Sequence, residues 1–231
     1  MGIKRVLILG GYGNFGKRIA EGLAGQSGLE IVITGRNPVR AEQVCRELGK
    51  EKPAVEFRHA LMNIDSPDFQ KALIRLAPDL LIHTAGPFQG QDYRVPLACI
   101  AAGCHYLDLA DDRRFVCDIV TLDKQARHRN VSVISGASSV PGLSSTVVDL
   151  YRKEFARLDV IDNCIVPGNK SERGVATIQG ILSKSTAMLH GEMPTAGSRR
   201  EKGILEMFWE NAGWRMLISL TWSCSRNDTN H

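Results

Sequence analysis

The chain has 231 residues, which is enough for one well-buried domain or for one domain with a small second one. Its composition, 43% hydrophobic and 23% charged, is typical of a soluble globular protein, and a net charge of only +4 does not favour binding to nucleic acid. We expect no membrane span, because no apolar stretch approaches the roughly 20 residues that a spanning helix needs.

Strand-like and helix-like segments alternate along the first two thirds of the chain. The predicted strands are residues 3–9, 29–34, 54–62, 80–83, 105–109 and 131–135. The predicted helices are residues 17–24, 38–49, a segment that starts at residues 66–67, and residues 93–102, 115–129 and 143–155. This alternation predicts an α/β fold built on a doubly wound parallel Rossmann sheet with right-handed crossovers.

Several helix ends carry their own signals. Asn37-Pro38 is typical of a helix start, with asparagine as the cap and proline at the first helical position. Residues 66–67 (SP) repeat that pattern before the third helix. Gly49 and Gly103 are predicted to end the helices that precede them, because glycine readily adopts the conformation of a helix C-terminus.

We expect a domain boundary at residue 157. Residues 1–157 are predicted to form the Rossmann domain, and residues 158–231 a partial substrate or dimerisation domain with an irregular tail. In the second part, residues 160–166 predict a strand and residues 172–182 predict a helix. The rest shows no regular period, so this second α/β segment is predicted to be short and incomplete. The choice between a monomer and a homodimer stays open.

The cysteines and the N-terminus indicate a compartment. Six cysteines show no C-x-x-C pair, and most of them lie in apolar segments. Buried free thiols are therefore expected rather than disulfides or a metal site. The chain runs straight into the first strand, which leaves no room for a signal peptide. We expect a cytoplasmic protein.

A glycine-rich stretch, GGYGNFGKR (residues 10–18), separates the first strand from the first helix. Gly11, Gly13 and Gly16 fit G-x-G-x-x-G, in which the glycines allow a tight turn, close approach to a pyrophosphate and close helix packing. The amide groups and the dipole of the helix start then face the anion. We therefore predict a dinucleotide site. Its first predicted contacts are Gly11, Tyr12, Gly13, Asn14, Phe15 and Gly16.

A second spacing is present in the same loop. Gly10, Gly13 and Gly16 also satisfy G-x-x-G-x-x-G, the pattern of short-chain and extended dehydrogenases. Those enzymes normally carry a catalytic Tyr-x-x-x-Lys, and none of the four tyrosines has a lysine four positions on. The short-chain interpretation is therefore the weaker one.

The end of the second strand predicts which dinucleotide binds. The strand is followed by TGRN (residues 34–37), and the first acid comes only at Glu42. An acid here would accept the ribose 2′-hydroxyl of NAD, whereas the planar guanidinium of Arg36 suits the 2′-phosphate of NADP. Arg40, one helical turn on, is placed to assist. The cofactor is predicted to be NADP, although an ordinary surface arginine is the plain alternative. The predicted contacts are Thr34, Arg36 and Asn37.

Loops after the other strands are expected to complete the site, because ligands of such sheets bind at the carboxyl ends of the strands. HTAGPF (residues 83–88) follows the fourth strand, and its small residues and Gly-Pro would let a ribose pass, unless they form only a turn. Asp65 is placed near the adenine, although Ser66-Pro67 already explains its turn. The predicted contacts are Asp65, Thr84, Ala85, Gly86, Pro87 and Phe88, with Phe88 as a wall of the nicotinamide pocket.

Three acids follow the fifth strand, in YLDLADD (residues 106–112). They suit a role in orienting a substrate or taking a proton, and equally a role in capping the helix that starts near Arg113. We name Asp108 as the catalytic candidate.

Taken together, these motifs resemble the saccharopine dehydrogenase-like family. The matching segments are VLILGGYGNFGKRIAEGLA (residues 6–24), HTAGPF, VPLACIAAGCHYLDLADD (residues 95–112) and GASSVPGLSSTVVD (residues 136–149), within residues 3–185. The resemblance implies an NADP-binding Rossmann domain followed by a mixed α/β domain that completes a substrate pocket. Family members usually continue well past this chain's end, so the chain is expected to be truncated relative to them.

Two functions are compatible with these motifs. The first is an NADP(H)-dependent oxidoreductase that transfers hydride to or from a C=N bond, as saccharopine reductases do, or a C=C bond, as trans-acting enoyl reductases do. Its partner would be a small amino-acid-like or lipid-like substrate. The second is a catalytically incomplete NADP(H)-binding protein, either a redox sensor or a paralogue that depends on a partner.

Overall fold

The computed structural model describes residues 4–154, 160–167, 202–211 and 214–223. These residues divide into two compact units, the first formed by residues 4–138 and the second by residues 139–154 with the later segments. The predicted boundary at residue 157 lies outside the described residues and stays a prediction. Each unit is described by itself below.

The described part of the first unit contains six strands and six α-helices. The strands are β1 Arg5–Leu9, β2 Glu30–Gly35, β3 Glu56–Leu61, β4 Leu80–His83, β5 His105–Asp108 and β6 Val133–Ile134. The helices are α1 Asn14–Leu23, α2 Pro38–Glu51, α3 Phe69–Leu76, α4 Arg94–Ala102, α5 Arg113–Asp118 and α6 Asp123–His128. Each predicted strand of the Rossmann domain is therefore present.

All neighbouring strands of this sheet run parallel, in the order β3-β2-β1-β4-β5-β6. This order confirms the doubly wound parallel sheet. Leu9 is paired with Thr34 on one side and with His83 on the other, and His83 is paired with Asp108. The carboxyl ends of four strands therefore lie side by side, which places the loops that follow them along one edge of the sheet.

Apolar side chains cover both faces of the sheet. On one face, residues such as Leu7, Leu81 and Tyr106 pack with α3 to α6. On the other, Ile8, Ile31 and their neighbours pack with α1 and α2. Burial on both faces explains why the central strands have continuous apolar sequences instead of alternating ones.

Several predicted helix boundaries differ from the structure, and α1 begins earlier than predicted, at Asn14. α2 continues through Gly49 to Glu51, whereas Gly103 does end α4, with a positive φ of 70°. α3 begins at Phe69 because residues 66–68 form a turn, in which the Ser66 hydroxyl accepts a hydrogen bond from the Asp68 amide. The segment predicted as one helix over residues 115–129 is α5, a 3-10 turn over Ile119–Leu122, and α6.

The described part of the second unit contains one helix and a small sheet. The helix is α7 Ser144–Tyr151, and the strands are β7 Val160–Pro167, β8 Lys202–Asn211 and β9 Trp214–Ser223. The strands are antiparallel in the order β7-β9-β8. β7 confirms the strand predicted at residues 160–166, and the predicted helix 172–182 lies outside the described residues. β8 and β9 were not predicted.

Within the described residues, no helix has both the length and the apolar character that crossing a membrane requires. In the same part of the chain, no three acidic, histidine or cysteine side chains are grouped as metal ligands would be. Cys45, Cys99 and Cys104 are buried free thiols, and Cys117 is an exposed one.

Candidate cofactor-binding site

The turn between β1 and α1 is held against β2 by backbone hydrogen bonds. The amides of Gly10 and Gly11 both donate to the Thr34 carbonyl oxygen, at 2.9 and 3.0 Å. Gly10 has a φ of +82°, a left-handed conformation that favours glycine, and its carbonyl accepts from the Gly13 amide at 2.9 Å. The tight turn that we assigned to Gly11 is thus made at Gly10.

Close packing explains two further glycines. A Cβ on Gly16 would lie 2.5 Å from the Gly10 carbonyl oxygen and 2.6 Å from the Gly11 Cα, closer than real side chains approach. A Cβ on Gly11 would lie 2.9 Å from the Ile8 carbonyl oxygen. These contacts bring the start of α1 directly against the end of β1, as the glycine fingerprint requires.

Gly13 has a different environment. It is the N-cap of α1, it is exposed, and no side chain caps the helix start. A Cβ there would meet only the Gly10 carbonyl oxygen within 4 Å. The residues present therefore fit a dinucleotide diphosphate: the loop is open at Gly13, and the first amides of a ten-residue helix lie beside it.

The turn between β2 and α2 lies next to this loop. The Asn37 side chain caps α2 by accepting from the Arg40 amide at 3.1 Å, and the Tyr12 hydroxyl accepts from the Asn37 amide at 3.1 Å. Arg36 and Arg40 are exposed, and neither is paired with an acid among the described residues. Thr34 is fully buried and its hydroxyl donates to the Ile8 carbonyl, so its visible role is to hold the turn.

The loop after β4 contacts the glycine loop. A Cβ on Gly10 would lie 3.0 Å from Thr84 Oγ1 and 3.1 Å from the Ala85 amide nitrogen. Thr84 is tied to β1, because its amide and its hydroxyl each donate to the Leu9 carbonyl at 2.9 Å. The end of β1 and the 84–85 segment thus lie together at the predicted site.

Gln91 shapes the rest of that loop, and the sequence analysis missed it. Its side-chain amide donates to the carbonyls of Ala85 and Pro87, at 3.0 and 2.6 Å, across the cis Gly86-Pro87 bond. The only signal in the sequence is a glutamine four residues after Pro87, which is not specific enough to predict this role. The loop is therefore fixed by a side chain from within itself.

Phe88 and Asp65 lie at opposite extremes of exposure. Phe88 is buried and packs edge-on against His83, with ring centroids 4.9 Å apart, and against Phe115 at 5.5 Å. Asp65 is on an exposed loop after β3 and pairs with Arg94 at 3.1 Å. Their predicted contacts with cofactor stay predictions, as do those of Asn14, which is half-buried, and Phe15, which is exposed.

Asp108 is buried at the end of β5. Its Oδ1 accepts three hydrogen bonds at 2.9 Å, from the Ala110 amide, the Ser135 hydroxyl and the Gly136 amide. Its Oδ2 is buried without a hydrogen-bond partner among the described residues. Asp112, not Asp108, caps the following helix by accepting from the Phe115 amide at 2.9 Å. Two of the three acids predicted together therefore have separate roles.

Two aromatic side chains form a polar contact beside Asp108. Nδ1 of the buried His83 lies 3.0 Å from the Tyr106 hydroxyl, and within the described residues Nε2 has no hydrogen-bond partner. Burial lowers the pKa of His83 to about 4, and an interaction with the Ala85 backbone opposes only part of this effect. Burial, and next the negative charge of Asp108, raise the pKa of Tyr106. Both rings are thus neutral near pH 7.

Comparison with known proteins agrees with this geometry. The family model described as the saccharopine dehydrogenase NADP binding domain matches residues 6–136. The saccharopine dehydrogenase (L-Glu forming) of Saccharomyces cerevisiae has a similar fold, with a TM-score of 0.53 and 15% identity over 72% of this chain and 36% of that one.

Two mycobacterial relatives carry the name of an activity. A Mycobacterium tuberculosis protein provisionally named a trans-acting enoyl reductase is 28% identical over 184 residues, which are 77% of this chain and 43% of that protein. A trans-acting enoyl reductase of Mycobacterium bovis is 28% identical over 177 residues, which are 74% of this chain and 41% of that protein. The chain therefore spans less than half the length of the curated relatives it matches.

Proposed function

This chain belongs to the saccharopine dehydrogenase NADP binding domain family, and from that premise we propose that it is the cofactor-binding part of an NADP(H)-dependent oxidoreductase. The observation that carries the proposal is the uncapped start of α1, opened at Gly13. The neighbouring β2–α2 turn carries two exposed arginines that have no acidic partner in the described part of the chain. The family confirms the expected cofactor, NADP.

We assign roles to the residues at the edge of the sheet. The first amides of α1 hold the diphosphate, with Gly13 leaving room for it. Arg36 binds the 2′-phosphate, and the loop at residues 84–88 borders the ribose and nicotinamide. When bound, the cofactor supplies or accepts a hydride. This chain orients the cofactor. It also places two neutral, buried side chains, His83 and Tyr106, near the proposed nicotinamide site.

For the substrate, we rank two candidates: first an enoyl group, whose C=C bond is reduced, and second a group with a C=N bond. The two mycobacterial relatives named as trans-acting enoyl reductases support this order. Asp108 was predicted to be catalytic. Its complete burial and its three hydrogen-bond donors support a different proposal, in which it positions the loops after β5 and β6.

The cofactor site is tested by titrating the purified chain with NADPH and following cofactor fluorescence. Gly13→Val should abolish or strongly weaken binding, because the new side chain fills the opening of the loop. Gly22→Val is the matched control, since Gly22 is exposed on the same helix and a Cβ there meets nothing within 4 Å. Equal affinity in both variants would contradict the site.

The preference for NADPH over NADH tests the role of Arg36 independently of the glycine loop. Arg36→Ala or Arg36→Asp should weaken NADPH binding far more than NADH binding, and equal losses would remove the assignment. Turnover is then assayed with a panel of enoyl, imine and keto substrates. Tight NADPH binding without turnover of any of them would favour a catalytically incomplete cofactor-binding protein over an enzyme that is active by itself.

A further inference from the structure

Tyr12 contacts both the glycine loop, to which it belongs, and the last residue of β2. Its ring fills the space beside Gly35: a Cβ on Gly35 would lie 2.8 Å from Tyr12 Cζ and 2.9 Å from the Tyr12 hydroxyl oxygen. Gly35 is itself buried. The Tyr12 ring therefore takes the place that a side chain at position 35 would occupy.

The same side chain reaches the start of α2. Its hydroxyl accepts from the Asn37 amide at 3.1 Å, and Asn37 in turn caps the helix through the Arg40 amide. The Arg40 guanidinium lies over the Tyr12 ring, 5.2 Å from its centroid, which is within the range of a cation–π contact. Tyr12 thus holds both the cap residue and an arginine side chain.

We propose that Tyr12 is a positioning residue for cofactor selectivity, which holds Arg40 beside Arg36 so that two guanidinium groups meet the 2′-phosphate of NADP(H). This inference rests on the proposed function. Among the described residues neither arginine forms an ion pair with a carboxylate, so no internal acid competes with an anionic ligand for them. A stacked guanidinium also loses less freedom on binding, because the ring already restricts it.

The test is a set of NADPH and NADH titrations with the full chain and four single variants. Arg40→Ala and Tyr12→Ala should each lower the ratio of NADPH affinity to NADH affinity about 10-fold, the scale of one charge-assisted contact. Tyr12→Phe should lose less of the preference for NADPH, because it keeps the ring under Arg40. Arg46→Ala is the control, since Arg46 is exposed on the same helix and pairs with Glu42 at 2.8 Å.

The double variant Tyr12→Ala/Arg40→Ala identifies the mechanism. If Tyr12 acts through Arg40, the double variant should lose no more NADPH affinity than Arg40→Ala alone. Additive losses, or equal losses for NADPH and NADH, would overturn the inference and leave a purely structural role for the ring. Arg40→Ala changes only an exposed side chain, so it tests the arginine's contact even if Tyr12→Ala fails to fold, and Gly35→Ala, described next, then tests the Tyr12 ring.

Gly35→Ala provides a second route to the same result. Its methyl group would push the Tyr12 ring aside, so NADPH selectivity should fall as it does in Tyr12→Ala, and unchanged selectivity would oppose the proposal. NADPH binding by the unmodified protein separates the proposed function from the proposed role of Tyr12. If it binds no NADPH, the proposed function fails; if it binds NADPH selectively while the variants keep that selectivity, only the role of Tyr12 fails.

Discussion

His83 is a neutral histidine at the centre of the carboxyl edge of the sheet. It is fully buried, its Nδ1 contacts the Tyr106 hydroxyl at 3.0 Å, and it packs against the ring of Phe88. A charged imidazole at this position would lose its hydration without gaining an acidic partner of its own. The residue therefore stabilises the fold only while it is uncharged.

We predict that His83 makes the folded protein sensitive to mild acid. Its pKa is about 4 when folded and 6.5 when exposed, so below pH 6.5 the unfolded chain binds a proton that the folded chain does not. The stabilising contribution of uncharged His83 is complete above pH 6.5 and is lost as the pH falls towards 4. The free energy of unfolding should decrease by up to about 1.4 kcal/mol per pH unit in that window.

Urea unfolding between pH 4 and 8 checks this prediction. His83→Gln keeps an amide that can bond Tyr106 but does not titrate, so its pH profile should be flatter than that of the parent chain. His59→Gln, at an exposed position on β3, serves as the control and should keep the parent slope. Parallel profiles for His83→Gln and the parent chain would contradict the argument.

Single residues also show how far sequence reasoning reaches. Gly16 and Asn37 were identified correctly in structural terms, because a glycine fingerprint and a helix cap are local patterns. The contacts of Tyr12 with Gly35 and of Gln91 with two carbonyls were not foreseen. They join positions that no spacing rule connects, so only the folded chain reveals them.

At the scale of elements, Asp108 connects the ends of two neighbouring strands. Through one oxygen it bonds Ala110 in its own loop and both Ser135 and Gly136 in the loop after β6. β6 has only two residues and two paired positions with β5, so the strand ladder alone fixes it weakly. The Asp108 carboxylate therefore helps to hold the edge strand β6 against β5.

We predict that Asp108→Ala lowers the free energy of unfolding by roughly 2–4 kcal/mol, because it leaves buried amides without an acceptor. Asp108→Asn should lose less, since its carbonyl oxygen still accepts. Asp123→Ala is the control: it removes an exposed pair with Arg127 on α6 and should change stability by less than about 1 kcal/mol.

Urea denaturation measures these differences, and a turnover assay on Asp108→Asn separates the two roles of the side chain. A folded Asp108→Asn that binds NADPH normally but loses turnover would restore the catalytic role. Unchanged turnover together with reduced stability would establish the positioning role. An Asp108→Ala protein as stable as the Asp123→Ala control would remove that role.

Elements also show why some predictions were wrong. Phe115, Ile119, Leu122 and Ala126 are all buried, at intervals of four and three residues that suit a single helix. The 3-10 turn at Ile119–Leu122 keeps that face while breaking the helix, so the apolar period cannot detect it. For β9 a signal was present, because apolar residues alternate along WRMLISLTWS (residues 214–223), and it was overlooked.

At the scale of the whole molecule, the sequence predicted the doubly wound parallel sheet of the first unit because alternation and chirality permit few arrangements, and the observed strand order is β3-β2-β1-β4-β5-β6. Such an order places the β1 and β4 loops on either side of one crevice. The contact of Gly10 with Thr84 and Ala85 agrees with this placement. The build of the second unit was not predicted: β7 pairs with β9 across a long stretch of sequence, and the local pairing of β8 with β9 was missed.

Since a ligand that binds only the folded chain stabilises it by mass action, NADPH should raise the unfolding temperature. At 100 times its dissociation constant, the gain is about 2.7 kcal/mol, or roughly 5–10 °C for a chain of this size. NADH at the same concentration should give a smaller rise, because it lacks the 2′-phosphate that Arg36 is proposed to bind. Circular dichroism at 222 nm follows the transition without interference from cofactor fluorescence.

Two variants make this measurement specific to the proposed site. Gly13→Val should show no rise with either cofactor, whereas Gly22→Val should respond like the parent chain. In Arg36→Ala the difference between the rises with NADPH and NADH should shrink, since the diphosphate contacts remain while one of the two selective charges is gone. A rise of the same size in Gly13→Val would mean that the cofactor stabilises the protein from another surface, and the placement of the diphosphate at the start of α1 would then be wrong.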